Sequence, residues 1–143
     1  MVRKFGVAAL LLAGFAVAVT GVIAADEKKE EKTPSIKDCM AFQKKDGLPV
    51  RVEKAAKDGK WEDAQKAAAE LNKLGQALGK NEPPQNADKK DEWAKVTKAF
   101  AERTDAVEAA AKAKNADDVS KAVVALLDRK TCGGCHNTFK PKK

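Results

Sequence analysis

Thr131-Cys132-Gly133-Gly134-Cys135-His136-Asn137-Thr138-Phe139-Lys140, near the end of this 143-residue chain, contains the pattern C-x-x-C-H. At 3.6 residues per turn, thiols three positions apart project from one side of a helix, and the imidazole follows on the next position. This combination is the attachment signature of a c-type haem: each thiol adds to a vinyl group to give a thioether, and the neighbouring imidazole ligates the iron. The expectation is one haem c per chain, attached through Cys132 and Cys135, with His136 as an axial ligand. His136 is the only histidine in the chain, so that role has no competitor.

Three other chemistries use the same residue types. A redox C-x-x-C of the thioredoxin kind wants a strand before it and a helix after it, within alternating β and α segments, and nothing in this chain alternates that way. A zinc site would recruit Cys39 to make three cysteines and one histidine, with the adjacent Cys135 and His136 strained to meet one tetrahedral ion. A disulfide between Cys132 and Cys135 would close a loop too short to stabilise much.

The rest of the chain reads as a holder for the haem. Tyrosine is absent, charged residues make up 34% and alanine and lysine dominate, which suits amphipathic helices and no sheet. Residues 1–25 resemble a secretory signal: Arg3 and Lys4 form a basic start, Phe5 to Val19 an apolar run of 15 residues, and Val22-Ile23-Ala24-Ala25 a small-residue cleavage region. The run is short of the roughly 20 residues that a spanning helix needs, so no stable membrane insertion is expected after cleavage. Export to the periplasm suits a c-type haem, which bacteria attach outside the cytoplasmic membrane. Residues 1–25 hold two of the 28 basic residues and none of the 21 acidic ones, leaving a formal charge of +5 on the remainder. That balance favours acidic partners or anionic surfaces through steering. Lysines interspersed with nearly as many acids read as solvated helix faces, and nucleic acid is not an expected partner.

Residues 26–33, charged and without an apolar side chain, are expected to be a disordered tail, followed by a single domain over 34–143. Thr33-Pro34 predicts an N-cap and a proline at the first helical position, with Ile36, Cys39, Met40 and Gln43 at helical spacing. Asp46-Gly47-Leu48-Pro49 should interrupt this first helix, which resumes over 50–57. Asp58-Gly59 marks a turn, after which Trp61, Ala64, Ala68, Leu71, Leu74 and Leu78 form the stripe of a second helix. A Gly, Asn and Pro-rich loop over 79–88 leads to a third helix over 89–113, capped by Asp88 and striped by Trp93, Val96, Phe100, Thr104, Val107 and Ala111. Both tryptophans are expected to pack between helices. Asn115 caps a fourth helix in which Val119, Ala122, Val123, Leu126 and Leu127 face one way, and the same stripe extends to Cys132, Cys135, His136 and Phe139. The fold class is all-α: an up-down-up-down four-helix bundle with the haem on the core side of its last helix.

With the motif on the last helix and only seven residues after His136, the chain resembles the cytochrome c′ family, whereas most other c-type cytochromes carry C-x-x-C-H near the start. The Phe139-Lys140 pair after the histidine is similar to that family's aromatic-then-basic pattern, as is Trp93 after a proline-containing loop. The resemblance covers about residues 34 to 140. It implies a first helix facing the distal side of the haem, and either a five-coordinate iron that binds small gases or a low-spin iron with a methionine from that helix. It also brings homodimerisation through the first two helices.

Met40, the only methionine after the signal, is the candidate sixth ligand. Phe42 rivals it for the distal space, although its i+2 offset argues that the two do not share a helix face. Phe139 and Lys140 complete the haem environment, Lys140 as a cation one turn beyond His136 for a haem propionate. Cys39 is an odd thiol, read as a buried small apolar residue or a link between chains. No second histidine and no acid/base pair suggests catalysis, so the chain reads as a non-enzyme: an electron carrier serving redox partner proteins, or a binder of nitric oxide or carbon monoxide.

Overall fold

The computed structural model describes residues 32–141. The expected leader over 1–25, nearly all of the expected tail over 26–33, and Lys142 and Lys143 lie outside the described residues. Within them the chain forms six α-helices and no strand: α1 (Ile36–Met40), α2 (Leu48–Lys57), α3 (Trp61–Leu78), α4 (Lys90–Lys112), α5 (Ala116–Leu126) and α6 (Arg129–Phe139), with a 3₁₀ turn at Ala41–Gln43.

α1 starts one turn-signal later than Thr33-Pro34 predicts. Its cap is Ser35, whose Oγ accepts from the Asp38 amide at 3.3 Å while the Asp38 carboxylate accepts from the Ser35 amide at 3.1 Å. This capping box satisfies two orphan donors at once. Thr33 has Ile36 at the equivalent offset and no group to return the bond.

The predicted interruption around residues 46–49 is present, but Pro49 is not its cause. Pro49 lies in the first turn of α2, where no intrahelical partner is required of its nitrogen, so the helix opens at Leu48 and not at Val50. The turn before α3 carries Gly59 at a left-handed φ of 72°, matching the Asp58-Gly59 signal.

α3 and α4 follow their predicted stripes. Ala64, Ala68, Leu71 and Leu78 of α3 are buried against Trp93, Phe100, Val107 and Ala111 of α4, with Trp61 and Leu74 partly buried at the edge of the same core. Side chains of this kind each contribute roughly 1.5–3 kcal/mol when fully buried, alanine less. Asp88 is not the cap of α4. Lys89 occupies that position without a side-chain hydrogen bond, and Asp91 and Glu92 supply the negative charge that favours a helix N-terminus.

Asn115 caps α5 as expected, its Oδ1 accepting from the Asp117 and Asp118 amides at 3.1 and 3.2 Å. The single long fourth helix is two helices. The chain breaks at Leu127, and Asp128 starts α6 by accepting from the Lys130 amide at 3.2 Å. Leu127 therefore leaves the predicted stripe and is 42% exposed.

α2 packs on α3, α3 on α4, α4 on α5, and α5 returns to α2, an arrangement compatible with a four-helix bundle. α1 lies against α3, and α6 against α4, so the motif helix sits beside this ring of four. Val52, Leu71, Val107, Val119 and Leu126, one or more from each helix of the ring, are wholly buried.

Candidate haem site

α6 is seated by its two ends. Asp128 caps its start, and the loop between α3 and α4 holds its finish. Gln85 Nε2 donates to the carbonyls of Thr138 at 3.1 Å and Lys140 at 2.8 Å, and Asn86 Nδ2 donates to Thr138 at 2.5 Å. These are carbonyls that a helix terminus leaves without intrahelical partners. Asn86 turns toward them through a left-handed φ of 56°. Thr138 Oγ1 also donates to Glu92 at 3.2 Å, and Phe139, almost wholly buried, meets Trp93 edge-to-face with centroids 5.1 Å apart. Trp93 Nε1 donates to the Asn81 carbonyl at 2.7 Å. The composition of the 79–88 stretch signals a loop but not this second task, which appears only when residues about fifty positions apart meet.

An apolar cleft of about 430 Å³ runs along the seated helix. That volume is in the range of small-molecule sites, roughly 300–1,000 Å³. Cys135, His136 and Phe139 form its α6 wall, Ile36 and Met40 its α1 wall, Leu78 and Trp93 its floor, and Pro84 its rim. Lys37 and Lys140 are the two cations at its edge. A narrower crevice continues from it past Met40, Leu78, Cys135 and His136 to Thr131, Cys132, Phe42, Val96 and Phe100. Every residue predicted for the site, Cys132, Cys135, His136, Met40, Phe42, Phe139 and Lys140, lines one or both of these adjoining clefts, which share Met40, Leu78, Cys135 and His136. Lys37 was not anticipated; its exposed position on a short helix carries no sequence signal for it.

Met40 and Phe42 line the same crevice, contrary to the i+2 argument. α1 ends at Met40 and the chain enters the 3₁₀ turn, so the angular spacing of an α-helix does not apply at residue 42. Phe42 is buried against Phe100, centroids 5.4 Å apart, while Met40 is half-buried. Gly47 makes this placement possible: a Cβ there would lie 1.7 Å from the Phe42 carbonyl oxygen.

All three cysteines are free thiols. Burial pushes the Cys132 thiol above its ordinary value, with Asp128 adding to the shift and Arg103 opposing it; burial, then Cys132, does the same to Cys135. A thioredoxin-type nucleophile needs the opposite shift. Cys39 is fully buried, directs its thiol at the Pro34 carbonyl 3.8 Å away, and lines neither cleft. Among the described residues no three Cys, His, Asp or Glu stand close enough to share a metal ion, so the Cys39 zinc arrangement is not formed. Its burial also keeps Cys39 from linking chains.

The donor set does suit a haem. Two reduced thiols and one imidazole share a wall, the imidazole forms no hydrogen bond among the described residues, and a thioether stands in the same slot. Thr131 Oγ1, on the crevice wall, is buried and has no hydrogen-bond partner. Comparison with protein-family models, curated proteins and solved structures found no match for this chain.

Proposed function

We propose that the chain is an exported c-type cytochrome of cytochrome c′-like architecture, a four-helix bundle carrying one haem c, that transfers single electrons in the periplasm and is not an enzyme. The observation that carries this reading is the pair of adjoining clefts: Cys135, His136 and Met40 line the apolar cleft of about 430 Å³, and the same three residues with Cys132 line the crevice beside it.

Attachment requires each S–H to add across a vinyl double bond, sulfur to one carbon and hydrogen to the other, with no oxidant and no leaving group. Cys132 and Cys135 are free to do this. Bound there, the group supplies a one-electron ferric/ferrous couple. The chain's part is to hold and shield it. His136 on α6 would supply a nitrogen ligand, and Met40 on α1 would supply the sulfur ligand; both line the cleft. Leu78, Trp93 and Phe139 would pack against the group, and Lys37 and Lys140, at the edge of the cleft, would offer ammonium groups to its propionates. Among the described residues no helix is long and apolar enough to cross a membrane.

Mass spectrometry of the denatured, processed protein tests the reading. The expected mass is that of residues 26–143 plus one haem; a haem-free mass, or zinc in its place, overturns it. Ferric and ferrous absorption spectra then divide electron transfer from gas binding. A low-spin spectrum indifferent to carbon monoxide supports the carrier. A high-spin spectrum that shifts with carbon monoxide moves the function to small-gas binding, with Phe42 and Ile36 as the distal wall.

A further inference from the structure

We infer that the open groove between α4 and α5 is the docking surface for an acidic electron-transfer protein; this rests on the function proposed above. The groove, about 570 Å³, is lined by Arg103, Ser120, Lys121, Val124, Ala125 and Asp128. Val124 is 69% exposed, more than any other large hydrophobic side chain described, and Leu127, 42% exposed, follows it at the helix break. Exposed apolar side chains rimmed by charge are the anatomy of a protein contact.

The charge of the rim identifies the partner. Arg103 and Lys121 stand in the groove, and Arg129 and Lys130 follow Asp128 in the first turn of α6, all exposed or half-exposed. Two cations at a helix N-terminus oppose the macrodipole, so the helix gains nothing from them. Among the lining residues the one acid, Asp128, is engaged in capping, and Lys121 meets Asp118 at 3.6 Å in an exposed pair that contributes little. Arg103 is held in place by donating to the Ala125 carbonyl. A second copy of the chain would bring the same positive field and be repelled. A partner with carboxylates around an apolar centre would be attracted and oriented.

The position suits electron exchange. Cys132 Sγ lies 4.0 Å from the Leu126 carbonyl, one residue past Ala125 of the groove wall, and Asp128 and Arg103 are the two charges that bear on its thiol. A protein seated in the groove would sit beside the haem's point of attachment at Cys132.

The test titrates the ¹⁵N-labelled, haem-loaded protein with a flavodoxin, an acidic electron-transfer protein, as probe. Amide shifts should centre on residues 120–130 and vanish at about 0.5 M salt. Lys121→Glu with Lys130→Glu should weaken binding by roughly tenfold or more, as should Val124→Glu at its solvent-exposed site. The control reversals Lys54→Glu and Lys66→Glu, in the separate groove between α2 and α3, change net charge equally and should leave binding within about twofold. Equal loss in the control, shifts centred elsewhere, or no binding overturns the docking surface. So does binding to phosphatidylglycerol vesicles that the groove reversals abolish while flavodoxin binding is unchanged, which would make the groove a membrane contact. The mass of the same sample separates the two levels: a haem-free chain defeats the function proposed, whereas a haem-loaded chain whose binding ignores the groove defeats this inference alone.

Discussion

Gly75→Ala should destabilise the protein even though alanine is the better helix former. A Cβ at residue 75 would lie 2.2 Å from Thr104 Oγ1, 2.8 Å from its Cγ2 and 3.0 Å from its Cβ. Ordinary contacts between such atoms are roughly 3.5–4.0 Å, so more than 1 Å is missing. Thr104 cannot swing aside: it is wholly buried, β-branched, and donates to the Ala101 carbonyl at 2.7 Å. α3 and α4 must instead part, which also strains the Asn72–Glu108 and Gln76–Asp105 hydrogen bonds between them. Helix propensity returns about 1 kcal/mol. Overpacking costs about 1–3 kcal/mol, and each weakened hydrogen bond about 0.5–1.5 kcal/mol. The net expectation is a loss of about 2 kcal/mol, read as a lower urea midpoint with unchanged slope by circular dichroism. Adding Thr104→Ala removes the two closest atoms, so the double variant should lose less than the sum of the single losses. A Gly75→Ala protein as stable as wild type, or a strictly additive double variant, would refute the close-approach argument. Leu78, one turn further along α3, floors the slot, so this parting should also disturb the haem spectrum.

Met40→Ala tests the distal face: loss of low-spin bands and new carbon monoxide binding are expected, whereas an unchanged spectrum with a stability loss of about 1–2 kcal/mol would make Met40 packing only, given its half-buried state. Acid sensitivity should include Glu108, whose carboxyl is held below the usual carboxylate range first by Lys112 and then by Asn72. A depressed folded-state value means that its contribution is present above the ordinary glutamate value and disappears as pH falls through the depressed one. Glu108→Gln should therefore melt below wild type at neutral pH and converge with it in acid; a gap that persists or widens in acid would contradict the assignment.

How much of this was legible depended on whether the signal was local. The α3 and α4 stripes repeat over five or more turns, long enough for periodicity to outweigh any single position, and Asn115 stood before two aspartates with no rival cap. Thr33 reads as a cap because proline follows it, yet the i+3 relation of Ser35 to Asp38 is the stronger local signal. The break at Leu127 was hidden by register: Leu126, Cys132 and Cys135 continue one stripe on paper, and Asp128 signals a new start only if that stripe is allowed to end. Met40 and Phe42 were separated by a rule that stops at the end of α1. The motif marks the candidate site, but the place of Lys37 at its edge and the seat that Gln85 and Asn86 give α6 depend on residues distant in sequence, where no local pattern operates.

The clamp on α6 bears on the order of events during folding. The hydrogen bonds from Gln85 and Asn86 to α6 and its C-cap span 52 to 55 residues of sequence. α6 itself has 11 residues with Gly133 and Gly134 in its interior, and a Cβ at either would meet nothing within 4 Å, so packing within the protein does not require them. Such a segment is too short and too glycine-rich to hold helical shape alone in water. Of the described helices it is also the last in chain order. Its thiols are thus carried on pliable chain until α3, α4 and their connecting loop have assembled; on the function proposed above, that gives an attachment apparatus an interval to reach both cysteines before Phe139 locks against Trp93.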